Sequence, residues 1–133
     1  MQLNFDIVHT YDDSDDGIVI PVILSSGGNT IRTQGCVDCG AGHCLFSNEV
    51  GKQLGLDIES GFPMRFGPAS GGSLEAFGHE VNIQTLGLSF DAVIFFAKYP
   101  GLRRNLLGRI GWLRYLQVGL IDYRNLLCLS KYE

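Results

Sequence analysis

The segment Cys36-Val37-Asp38-Cys39-Gly40-Ala41 sets a carboxylic acid at the end of an apolar run and releases the chain at once with glycine. A lone ionisable side chain in apolar surroundings is costly unless it is paired, hydrogen-bonded or held protonated, so Asp38 reads as a site rather than a solubilising charge. The pattern occurs once. Chemistry that needs two such acids therefore needs two chains. Far downstream, Leu106-Leu107-Gly108-Arg109 is a second apolar run released by glycine. Taken alone, those leucines are ordinary core and Gly108 an ordinary turn residue; only the conjunction with Asp38 raises them above that.

Cys36, Cys39, His43 and Cys44 form the strongest competing constellation, four potential soft ligands in one short stretch. A structural zinc site usually draws its ligand pairs from separate segments so that the metal staples a fold, whereas these lie on one strand and its turn. Cys36 and Cys44 read better as small buried residues, and no metal or other cofactor is expected. A redox pair is weaker still, because Asp38 between Cys36 and Cys39 opposes a thiolate. His43 and His79 align with no nucleophile and orienting acid, which leaves them surface or hydrogen-bonded structural histidines.

The 133 residues are 45% hydrophobic, enough for one core and short for two, so a single domain over residues 1–133 is expected. With a formal net charge of −4 there is no basic footprint, and Arg103-Arg104 is too sparse to track a phosphate backbone; no nucleic-acid partner is expected. Met1-Gln2-Leu3-Asn4-Phe5-Asp6 has neither a basic start nor an apolar block, so neither signal peptide nor membrane span is expected. The cysteines, crowded between Cys36 and Cys44 with Cys128 apart, do not form the scattered framework of a small secreted domain. Free thiols in a reducing, cytoplasmic setting follow.

The elements that must position Asp38 are mostly strands. Leu3, Phe5 and Ile7 alternate with polar neighbours, Ile18 to Leu24 is more continuously apolar, and Ser25-Ser26-Gly27-Gly28-Asn29 turns the chain into a strand over Thr30 to Val37 that ends at Asp38. The acidic Tyr11 to Gly17 turn between the first two lacks the ligand spacing of a calcium loop and reads as a solvated connection. Ser47 is placed to N-cap a short helix through Leu54, with Gly55 as its left-handed C-terminal cap. Phe62 to Pro68 and Ser73 to Phe77 carry strand signals on both sides of a Gly-rich tip. Val81 to Ile83 and Leu88 to Phe96 flank a turn at Leu86-Gly87. Arg109 to Leu116 has helical spacing, and Val118 to Leu120 and Leu126 to Leu129 close the chain as strands.

A strand ending in Asp38-Cys39-Gly40-Ala41, a Gly-tipped hairpin, and Leu106-Leu107-Gly108-Arg109 leading into a short helix together resemble the retropepsin-like aspartic proteases over roughly residues 16 to 130. The resemblance implies an all-β acid-protease fold with a flap hairpin and one or two short helices. It implies Asp38 as the catalytic acid, Cys39, Gly40 and Ala41 as its loop, and Pro68, Ala69, Ser70, Gly71 and Gly72 as the substrate-covering flap. Leu106, Leu107, Gly108 and Arg109 would be a second loop passing behind the catalytic strand. It further implies a homodimer acting on peptide or protein substrates, each subunit supplying one Asp. Two carboxylates held close share one proton: the ionised one acts as base on a water, the protonated one donates to the scissile carbonyl, and no covalent intermediate forms.

Three positions depart from that family's pattern. Cys39 stands where Thr or Ser is usual, Gly42 where many relatives carry a polar residue, and Ile110 where Asp or Asn is common. A thiol is a weaker donor than a hydroxyl, and two copies of Cys39 on one axis also bring an intersubunit disulfide within reach under oxidation. A retropepsin-fold dimer that binds extended peptides without cutting them is therefore the alternative.

Overall fold

The computed structural model describes residues 1–14, 16–67 and 72–132. Along the chain these form β1 (Ile7–Thr10), β2 (Val19–Ser26), β3 (Asn29–Val37), β4 (Leu45–Phe46), α1 (Asn48–Gln53), β5 (Phe62–Phe66), β6 (Leu74–Thr85), β7 (Leu88–Ala97), β8 (Leu106–Leu107), β9 (Leu116–Ile121) and β10 (Leu126–Lys131), with short 3-10 turns at Ile58–Ser60, Leu113–Tyr115 and Asp122–Arg124. The mostly-β expectation holds, and no helix among the described residues is long and apolar enough to cross a membrane.

β2 and β3 pair in register from Val19↔Cys36 to Ser26↔Asn29, reversed by Gly27 and Gly28 at φ +54° and +88°. Such a two-residue turn with both residues left-handed matches the twist of the strands it joins. The larger sheet runs β2-β3-β8-β4-β7-β6-β5, and β2 also pairs with β6, so the sheet folds back on itself around its apolar side chains. Ile20, Leu24, Phe46, Ile83, Phe96, Leu107 and Trp112 are all fully buried there. A smaller sheet, ordered β1-β10-β9, contributes Leu127 and Leu129 to the same core.

α1 begins where expected: the Ser47 side chain accepts from the Val50 N–H, and Glu49 sits in the first turn. Gly55 follows at φ +77°, and the Asn29 side-chain amide donates to the Leu54 carbonyl at 3.0 Å, tying the helix end to the β2–β3 turn.

Three expectations about elements need correction. The first strand lies at Ile7–Thr10 rather than around Leu3 to Ile7, because its register is set by pairing with β10, Ile7↔Leu129 through Thr10↔Leu126. The segments expected as two strands, Ser73 to Phe77 and Val81 to Ile83, are joined in one continuous strand, β6, that begins at Leu74. Gly78 lies within it without breaking it, packed so that a Cβ would meet Phe95 and Val93 at 3.0 Å. The helix expected over Arg109 to Leu116 is absent: Gly111 takes φ +112°, and only the 3-10 turn at Leu113–Tyr115 remains.

Candidate active site

Asp38 follows β3 directly, and the end of that strand is clamped from two sides. Cys36 and Val37 pair in parallel with Leu106 and Leu107 of β8. The N–H groups of Cys36 and Asp38 donate to Asn105 and Leu107 carbonyls at 2.8 and 3.0 Å, while Val37 N–H donates to Ile18 at 2.8 Å. With its backbone satisfied, the chain can afford a sharp turn immediately afterwards. Gly40 N–H donates to Asp38 Oδ1 at 2.9 Å and Ala41 N–H to the Asp38 carbonyl at 3.1 Å. One carboxylate oxygen is thereby fixed by a backbone donor, which orients the side chain. Asp38 is half-buried, whereas Cys39 and Gly40 are exposed.

The second apolar run packs against this turn. Arg109 N–H donates to the Ala41 carbonyl at 2.9 Å and Ile110 N–H to Gly42 at 2.8 Å, continuing into a parallel bridge between His43 and Ile110. Gly108 makes the approach possible, since a Cβ on it would lie 2.2 Å from the His43 carbonyl oxygen and 2.8 Å from that of Ala41. Leu107 is fully buried core, and the Arg109 side chain is exposed, so within one chain the contribution of Arg109 to the turn is its backbone.

Asn105 is a positioning residue that sequence reasoning missed. Its Oδ1 accepts from the Ser47 N–H at 2.9 Å, and its Nδ2 donates to the Gln34 carbonyl at 2.8 Å and Thr33 Oγ1 at 3.3 Å. One side chain thus joins β3, β8 and the start of α1. The available signal was a polar residue set directly before Leu106-Leu107.

The cysteines do not converge. All four are free; Cys36 and Cys44 are buried, and Cys39 is exposed. Among the described residues no three His, Cys, Asp or Glu side chains gather as a metal site requires. Burial pushes the Cys44 thiol up to about 12, with the Gly108 N–H, 3.3 Å from its sulfur, pulling the other way, so it is held as a thiol. His79 Nε2 lies 2.8 Å from the Ile58 carbonyl, a structural role. His43 packs edge-on against Phe95 and Phe66, at 5.2 and 6.2 Å between ring centres, with Nδ1 buried and without a partner among the described residues.

β5 and β6 form an antiparallel hairpin whose last described pair is Phe66↔Leu74. Its expected tip, Pro68, Ala69, Ser70 and Gly71, lies outside the described residues; Gly72 is described, at φ +71°. Between this hairpin and the segment entering β8 lies a cavity of about 660 Å³, bounded by Arg65, Leu74 and Glu75 on one side and Tyr99, Leu102 and Leu106 on the other. A second, of about 370 Å³, adjoins Thr33, Gln34 and Cys36, and the two share Arg103 and Arg104.

A closed-back sheet, a half-buried Asp at the end of one strand and a glycine loop threaded behind it define the fold of the retropepsin-like aspartic proteases, and comparison with solved structures shows that fold. The chain is similar to a retropepsin-like aspartic protease from Rickettsia conorii, at 17% identity and a TM-score of 0.66 over 92% of this chain and 96% of that one. It is also similar to the EIAV protease solved with the inhibitor HBY-793, at 20% identity and a TM-score of 0.54 over 74% of this chain and 86% of that one. No family model and no curated protein sequence matches the chain.

Proposed function

We propose that residues 1–133 form one domain of an aspartic endopeptidase, active as a homodimer in which Asp38 from each copy faces its mate across a two-fold axis. The observation that carries this reading is the placement of Asp38: held by the Gly40 N–H on an exposed turn, on a fold shared with aspartic proteases. Two such carboxylates titrate as a pair that shares a proton. The ionised member takes a proton from a water lying between them as that water attacks the scissile carbonyl, and the protonated member donates to the carbonyl oxygen. The resulting diol collapses as the amine departs with a proton. Gly40, without a side chain, lets an extended substrate backbone run past the dyad.

The surface of the smaller sheet supports the dimer. β1 and β9 are its edges, and Val8, Leu120 and Ile121 are large apolar side chains at 63%, 50% and 46% exposure. Exposed edges with apolar flanks are what a partner strand covers. Cys39 favours the second reading, a peptide-binding dimer that does not cut, since an exposed thiol there holds the paired turns less firmly than a hydroxyl would.

Incubating wild type and Asp38→Asn with a diverse peptide library, from mildly acidic to neutral pH, separates the two. Cleavage by wild type alone is expected. Cleavage by both would end the dyad mechanism, and silence from wild type would leave the binding dimer. Sedimentation at micromolar concentration should give a dimer; a stable monomer refutes it.

A further inference from the structure

The chain carries a formal net charge of −4, yet the two cavities that share Arg103 and Arg104, the larger of them beside the hairpin, are cationic. Arg65, Arg103 and Arg104 line the larger one against the single carboxylate of Glu75. Glu75 is already shared, 3.6 Å from Arg65 and 3.4 Å from Lys98. Among the described residues the ion pairs leave Arg103 and Arg104 without a carboxylate. Arg103 and Arg104 are both exposed and border both cavities, and Arg104 Nη1 lies 3.4 Å from Cys36 Sγ.

The two cavities differ in chemistry. The larger has an apolar floor of Leu74, Leu102 and Leu106; the smaller is bordered by Thr33, Gln34 and Asn105. In an extended peptide, side chains two positions apart fall on the same side, about 7 Å from each other. Arg103 and Arg104 border both cavities, so a side chain next along the same face of a peptide anchored in the apolar cavity has a guanidinium within its reach. The guanidinium fork matches a carboxylate in shape and charge.

Resting on the endopeptidase reading, we propose that the Arg103-Arg104 pair selects substrates carrying an acidic side chain two positions from an apolar one. The substrate class is thus an extended acidic peptide, and Arg103 is its specificity-determining residue.

Fluorescein-labelled alanine decapeptides containing a Phe-Leu pair, with Glu, Gln or Lys two positions to either side, test this by anisotropy with Asp38→Asn protein. Glu peptides should bind about five- to tenfold more tightly than Gln peptides at low salt, and Lys peptides least, with the difference shrinking at about 0.3 M salt. Arg103→Glu should invert the order toward Lys while its thermal unfolding matches the parent. Equal binding of Glu and Gln, or an order unchanged by Arg103→Glu, overturns the proposal. The same peptides given to wild type keep the two readings apart. Cleavage without acidic preference ends this proposal and keeps the endopeptidase; acid-selective binding without cleavage does the reverse. Neither binding nor cleavage ends both.

Discussion

Gly108→Ala is expected to be among the most damaging single methyl additions to this chain, and its size follows from the crossing behind Asp38. The added carbon would lie 2.2 Å from the His43 carbonyl oxygen, 2.6 Å from the His43 carbonyl carbon and 2.8 Å from the Ala41 carbonyl oxygen. These are backbone atoms that cannot swing aside as a side chain can. Relief requires the two segments to separate, which disrupts the 2.9 Å bond from Arg109 N–H to Ala41 and the 2.8 Å bond from Ile110 N–H to Gly42. Overpacking costs about 1–3 kcal/mol, and each lost backbone bond about 1 kcal/mol, giving a loss of about 3–5 kcal/mol. For a chain of this size that is a fall in Tm of roughly 10–20 °C. Gly42→Ala is the control from the facing turn: its Cβ would meet nothing within 4 Å, and its effect should stay within about 0.5 kcal/mol. Thermal and urea unfolding of both variants, followed by circular dichroism, measure the difference. A Gly108→Ala protein that melts within about 2 °C of wild type would refute the crossing as described.

Other expectations test the core, the ionisable groups and the thiols. Trp112→Phe removes the 3.0 Å bond from the indole N–H to Thr85 Oγ1, both residues being fully buried, and should cost about 1–3 kcal/mol in urea unfolding. Tyr11 is raised from 10.0 to about 12, first because its hydroxyl donates to Asp122, and Cys44 from 9.0 to about 12 by burial. The folded state therefore holds both protons more tightly than the unfolded chain. Their contribution to stability is complete below about pH 9 and is lost as pH rises to about 12, which urea midpoints across that range should register. Asp122→Asn should bring the Tyr11 titration, read by ultraviolet difference absorbance, back toward 10. An aromatic disulfide reagent should modify Cys39 first and reach Cys36 and Cys44 only on unfolding, since Cys39 alone among the four is exposed.

Much of the scaffold was legible because local chemistry and tertiary context agree there. Gly27-Gly28 names its turn, Ser47 and Gly55 bound their helix, and the apolar run ending at Asp38 is a strand that stops where its side chains change character. The misses share one cause, a partner far away in sequence. The spacing from Arg109 to Leu116 is helical, but Gly111 is held at φ +112° where a Cβ would approach the Val93 carbonyl oxygen to 2.9 Å, and that contact belongs to β7. The start of β1 is dictated by β10, and the role of Asn105 by Ser47 and Gln34. Arg103 and Arg104 are too few to bind a polymer of phosphates, and only the fold brings Arg65 and Leu74 into one cavity with them.

The parallel pairing of Cys36 and Val37 with Leu106 and Leu107 also orders events in time. Closing a loop of that length costs entropy before any contact repays it, so the pairing belongs among the late steps of folding. During synthesis, Asp38 leaves the ribosome well before Leu106 to Ile110 exist to hold its turn. A nascent or truncated chain ending short of that segment would carry the acid on an unsupported loop. The turn that carries Asp38 is thus supported only once Leu106 to Ile110 have been made and packed against it.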